Sequence, residues 1–177
     1  CKAAEGCEVM VIPHNTNWSN GSLYAPVVNR SFKDAQGAEV PEAEVLKLRA
    51  RLEPTLEVFQ HKGDMECQNG LAGQPDEAAC GFEKLRAGAI VDCYETNGWG
   101  GIKDQGCVSK YDYMRGIFGH SLTLPKGEPN PYRVGIIGSS DSHNGTPGNT
   151  WEQGWPGHVG TSDDTIAKRL SEGNITH

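Results

Sequence analysis

Three short apolar runs, each delivering a histidine just beyond its end, constrain this chain more than any other feature. The clearest is Val134-Gly-Ile-Ile-Gly138, which stops at Ser139-Ser-Asp141-Ser-His143 and the loop Asn144-Gly-Thr-Pro-Gly148. A buried strand that ends in a Gly/Pro loop presents side chains at its carboxyl end. Positions two apart on extended backbone face the same way, so Asp141 and His143 can converge on one point. A carboxylate beside an imidazole suits a divalent metal. The competing reading is a surface turn in which both residues cap the next element, since Asp-x-His alone is a common tripeptide.

Two further runs repeat the pattern. Glu8-Val-Met-Val-Ile-Pro-His14 leads into a loop carrying Asn15, Asn17 and Asn20-Gly21. Thr55-Leu-Glu57-Val-Phe-Gln-His61 leads into Lys62-Gly63. Extended backbone puts Glu57, Phe59 and His61 on one face, with Leu56 and Val58 on the other. A glutamate inside a strand is costly unless a cation meets it. Otherwise Glu57 is an exposed edge residue and His61 a loop residue.

These runs alternate with helical segments. Residues 8–13, 55–60 and 134–138 read as strands. Pro41 opens a helix with Val45, Leu48 and Leu52 on its apolar face, and Pro54 closes it. Residues 111–121 read as an amphipathic helix, and Asp163-Asp164 caps a last one through Leu170. A short helix is expected near residues 80–87. Alternation of this kind means an α/β fold with a parallel sheet or barrel, whose post-strand loops share one rim. His14, Glu57, His61, Asp141 and His143 all fall on that rim.

Composition narrows the function. A net charge of −7 with no clustered Lys and Arg argues against nucleic-acid binding. No stretch is long and apolar enough for membrane insertion. No Walker loop, dinucleotide glycine fingerprint or Gly-x-Ser-x-Gly elbow is present, which leaves a side-chain nucleophile as the weakest option. Twenty-three Gly and ten Pro indicate long ordered loops. In such loops Trp99, Trp151 and Trp155 can wall a substrate pocket or merely pack locally. Six cysteines (Cys1, Cys7, Cys67, Cys80, Cys93 and Cys107) form no Cys-x-x-Cys pair. Their even number suits disulfides in a periplasmic or secreted protein rather than free cytosolic thiols, with the pairing open. Four of them lie in a Cys/Gly-rich insert at residues 64–108. Asn-x-Ser/Thr sequons at Asn17, Asn20, Asn29, Asn144 and Asn174 read as chance, three being in the site loops.

Pro13-His14-Asn-Thr-Asn-x-Ser-Asn-Gly21, Glu57-Val-Phe-Gln-His61-Lys-Gly-x-x-Glu66-Cys67, Asp76-Glu77-x-x-Cys80-x-Phe82-Glu83 and Gly138-Ser-Ser-Asp141-Ser-His143-Asn-Gly-Thr-Pro-Gly148 together resemble the bacterial domain of unknown function 3604 family. That family is similar to the polymerase and histidinol phosphatase (PHP) superfamily of metal-dependent phosphoesterases. The resemblance extends to Gly157-His158-x-Gly160. It implies a distorted PHP-like (β/α) barrel with long loop insertions and divalent metal ions (Zn, Mn or Fe) at the strand ends. His14 matches a strand-end metal histidine, and Asp141 and His143 match the closing Asp-x-His metal pair. Glu57 matches a strand-end glutamate of less uniform role, while His61 has no secure counterpart. The amino-terminal His-x-His strand of such proteins has no match, so residues 1–177 read as the carboxyl-terminal half of a larger barrel.

The expected activity is therefore metal-dependent hydrolysis of a small-molecule phosphoester by a metal-activated water. His14, Asp141 and His143 are the metal ligands, and Glu57 and His61 the catalytic acid–base candidates. Asn15, Asn17 and Asn144 orient substrate or ligands. The alternative is a secreted, disulfide-stabilised binding or structural domain without catalysis.

Overall fold

The computed structural model describes residue 6 and residues 8–24, 32–60, 62–74, 76–84, 90–93, 107–141 and 167. His61, His143, Asn144, the three loop tryptophans (Trp99, Trp151 and Trp155) and all but one residue of the expected last helix lie outside them. Strands β1 (Phe32–Lys33) and β2 (Glu39–Val40) form an antiparallel hairpin that leads into helix α1 (Glu42–Leu52). Strand β3 (Thr55–Gln60) follows after Pro54, then β4 (Gly63–Asp64), helix α2 (Met114–Ser121) and β5 (Gly135–Gly138). The main sheet has the order β4-β3-β5, with β4 antiparallel and β5 parallel to β3. The fold is thus mixed α/β, and no closed barrel is present among the described residues.

Residues 8–13 depart from the expected strand. They reach the sheet region through two backbone bonds, Val11 N–H to Leu52 O (2.7 Å) and Glu57 N–H to Pro13 O (3.1 Å). Two bonds do not make a ladder, and Pro13 contributes no donor of its own. Val9 and Met10 accordingly remain 53% and 61% exposed.

Helix α1 begins one residue after Pro41, carries Glu42 and Glu44 in its first turn and Arg49 and Arg51 in its last, and so matches its dipole at both ends. Its inner face differs from the expected one. Leu48 is exposed, whereas Val45, Leu46, Arg49 and Leu52 are half-buried. Arg49 takes the inward position because its guanidinium lies 4.7 Å from the centroid of the Tyr24 ring and chelates Glu53 with Nε and Nη2 at 2.9–3.2 Å. Burial raises the Tyr24 hydroxyl above the ordinary phenol range, with the nearby Glu53 carboxylate adding to it.

The core gathers Tyr24, Leu56, Tyr111, Met114, Ile117 and Tyr132, with Val58, Phe118 and Val134 packed against it. Here α2 meets the 3-10 turn Lys110–Asp112 that precedes it. Gly116 makes the approach feasible, because a Cβ there would stand 2.0 Å from the Lys110 carbonyl oxygen. A smaller cluster of Leu71, Val108 and Tyr113 lies under the Cys-rich region. Cys67–Cys80 and Cys93–Cys107 are disulfides that close segments of 13 and 14 residues. Loops of that size stabilise a fold by about 3 kcal/mol each through restriction of the unfolded chain. The expected short helix near residues 80–87 is a 3-10 turn at Ala78–Gly81, with residues 85–89 outside the described set.

Candidate functional site at the strand ends

The three chain segments that precede His14, His61 and Asp141 end side by side, and one side chain joins them. Gln60, the last residue of β3, is 1% exposed. Its Nε2 donates to Asn15 Oδ1 at 2.5 Å and to Asp141 Oδ2 at 3.0 Å. Its Oε1 accepts the backbone N–H of Lys62 at 2.8 Å and lies 3.4 Å from the Lys62 ammonium. One carboxamide therefore spends both its donors and its acceptor on three different loops.

Both residues that Gln60 holds through its amide have left-handed backbones, Asn15 at φ 51° and Asp141 at φ 51°. Asn and Asp tolerate that region better than other L-residues, and such conformations persist where surrounding bonds enforce them. The Gln60 bonds supply that enforcement. Gly63, at φ 100°, lets the chain reverse into β4 directly after Lys62.

Lys62 is 7% exposed, and its ammonium forms an ion pair with Asp141. The Trp18 ring centroid lies 5.9 Å from the same Nζ, and Asn17 Nδ2 donates to the Lys62 carbonyl at 3.0 Å. Asn17 and Asn20 are both essentially inaccessible (1% and 0% exposed), which agrees with reading their sequons as chance.

Glu57 is 5% exposed, and its Oε1 accepts from Ser139 Oγ at 2.6 Å. Its Oε2 is buried without a hydrogen-bond partner among the described residues. Burying a carboxylate oxygen without a partner is expensive, so the position favours a cation or proton donor. His14 is exposed, and its Nδ1 accepts from Asn15 Nδ2 at 3.1 Å, leaving Nε2 as the other ring nitrogen for a ligand. Asn17 Oδ1 and Trp18 Nε1 are also buried without partners among the described residues.

Of the sequence-derived site residues, Asn15 and Asp141 are thus brought together through Gln60. Asn17 joins them through the backbone of Lys62, His14 through Asn15, and Glu57 through Ser139 on the β5 side. His61, His143 and Asn144 belong to undescribed positions. Gln60 and Lys62 are additions that the sequence reading passed over. Among the described residues, no group of three or more His, Cys, Asp or Glu side chains stands ready to hold a metal. The donor set still suits a cation, because His14 offers an exposed imidazole, Asp141 a carboxylate now paired with Lys62, and Glu57 a buried carboxylate oxygen without a partner among the described residues. Oxygen donors with an imidazole suit Mn, Zn or Fe ions.

Replacing Gln60 with Leu is expected to weaken divalent-metal binding roughly 10- to 100-fold, the usual cost of losing a group that orients ligands. Isothermal titration of the folded variant with Mn²⁺ would check this, and wild-type affinity would remove Gln60 from the site.

A family model described as "Protein of unknown function (DUF3604)" matches residues 1–176. Comparisons with curated proteins and with solved structures gave no match.

Proposed function

The chain belongs to this DUF3604 family of unknown function, and from its strand-end site we propose that it serves a metal-dependent hydrolase acting on small phosphoesters. The supporting observation is the meeting of three loop segments on Gln60, which holds the Asp141 carboxylate at that point beside the Lys62 ammonium. In this reading His14, Asp141 and His143 hold one or more divalent ions of Zn, Mn or Fe. When bound, the metal supplies Lewis acidity to the ester and acidifies a water toward neutral pH.

The chain's own groups do the rest. Glu57, oriented by Ser139, takes a proton from the attacking water or joins the ligand set. His61 donates to the leaving oxygen or contacts the substrate. Asn15, Asn17 and Asn144 orient ligands and substrate. The chain constitutes the carboxyl-terminal half of a distorted PHP-like (β/α) barrel, with the remaining ligands on the other half. The two disulfides are consistent with an oxidising, periplasmic or extracellular location. Among the described residues no helix is long and apolar enough to cross a membrane.

Elemental analysis of the wild-type chain and of an Asp141→Ala/His143→Ala double variant tests the proposal. Metal near stoichiometry in the first and its loss in the second is the expected result. Metal retained in the double variant would move the site elsewhere. Absence of metal from both this chain and a longer protein containing it would end the hydrolase reading.

A further inference from the structure

Asp141 faces two demands that compete. As a ligand in the reading above it gives its carboxylate to a divalent cation, yet in the structure that carboxylate holds the Lys62 ammonium. Two positive charges in contact with one small carboxylate repel each other strongly in a site shielded from water. The Lys62 side chain is 8% exposed and that of Asp141 27%, so solvent screens little of that repulsion.

The Lys62 backbone is fixed independently of its ammonium. Its N–H donates to Gln60 Oε1 at 2.8 Å, and its carbonyl accepts from Asn17 Nδ2 at 3.0 Å. The four-carbon stem can therefore swing its charge away while the turn stays in place. Charge balance favours such a device: without a cation, the Asp141 carboxylate would rest against the neutral Gln60 amide in a largely shielded position.

We propose that Lys62 is the internal counter-cation of the site, neutralising Asp141 in the metal-free chain and leaving it when a divalent metal binds. This rests on Asp141 being a metal ligand. Lys62 is then a positioning residue that sets metal affinity rather than a ligand.

The test is isothermal titration of the full chain with Mn²⁺ and with Zn²⁺, comparing wild type, Lys62→Met and Lys62→Arg. Removing the competing charge should tighten binding by about tenfold or more in Lys62→Met, whereas Lys62→Arg, which keeps the charge, should stay within about threefold of wild type. Mere loosening of the site is expected to weaken binding, as predicted for Gln60→Leu, so a gain in affinity separates charge removal from structural damage. Unchanged or weaker binding by a folded Lys62→Met overturns the proposal.

Wild-type protein supplies a second measurement should Lys62→Met fail to fold. Reductive methylation of Lys62, followed by peptide mass spectrometry, should speed up several-fold at saturating Mn²⁺. An unchanged or slower rate overturns the proposal equally. If wild type binds neither metal, the metal-centre reading fails and Lys62 falls with it. If wild type binds metal that Lys62→Met does not tighten, only the counter-cation role is lost.

Discussion

Asp112→Ala should lower the stability of the oxidised chain by about 3–4 kcal/mol, because a buried charged acceptor serving several donors is removed at once. Asp112 is 0% exposed. Its Oδ1 accepts from Ser19 Oγ and from Gly21 N–H, both at 2.6 Å, and its Oδ2 accepts from Ser109 N–H at 2.9 Å. The first two donors belong to the loop that follows His14, and the third to the cap of the turn before α2. One carboxylate thus fastens the His14 loop to the core helix. Thermal unfolding should shift down by roughly 6–16 °C for a chain of this length. Asp112→Asn, which keeps a single acceptor oxygen, should lose about half as much. Metal binding should weaken in parallel, since the loop that presents His14 and Asn15 loses its anchor. Unfolding of Asp112→Ala within 1 °C of wild type, by calorimetry, would show that this carboxylate fastens nothing.

The second large effect is expected at Lys84, beside the Cys67–Cys80 disulfide. Its ammonium pairs with Asp64 and also donates to the Cys67 carbonyl, with the Tyr113 ring centroid 5.5 Å away. The side chains of Lys84 and Asp64 are only 4% and 10% exposed. Asp64 Oδ1 still accepts from Glu66 N–H at 2.7 Å, but that does not neutralise it. Lys84→Met therefore strands a buried carboxylate and should cost about 3–5 kcal/mol in urea unfolding. Replacing both partners tells the origin of the loss: Asp64→Asn/Lys84→Met should recover most of it, since a removed pair is far cheaper than a broken one. A double variant as unstable as the single one would place the cost in the Cys67 carbonyl and Tyr113 contacts instead.

Period-two patterning bounded by Pro54 located β3, and Pro41 with its charge-matched helix ends located α1 to within a residue. The strand expected at residues 134–138 appears as Gly135–Gly138. The candidate site was legible where a chemistry-bearing residue stood out against an apolar run, Glu57 within β3 and Asp141 shortly after β5. Gln60 and Lys62 were passed over because a neutral carboxamide and a lysine in a turn carry no ligand or acid–base signal in the sequence; only the fold shows that both reach Asp141. Leu56 and Glu57 lie on opposite faces of β3 and both are buried, so burial there does not follow a one-faced pattern. Leu48 misled for a related reason, because an arginine that chelates Glu53 and covers Tyr24 claims the inner face. The cysteine pairing, left open by spacing, is set by tertiary contacts that bring residues 13 and 14 apart together.

The inaccessibility of Asn17 and Asn20 decides how this protein can be manufactured. Sugar is attached to nascent chains before they fold, and a side chain destined for a fully enclosed position has no room for it. Yeast, insect or mammalian secretion would therefore offer the oxidising conditions that the disulfides want while tagging the two asparagines the fold must enclose. Erasing the first sequon at Ser19 is no remedy, because that hydroxyl is bonded to Asp112. A host whose export route forms disulfides but lacks asparagine-linked glycosylation is the setting in which both requirements are compatible.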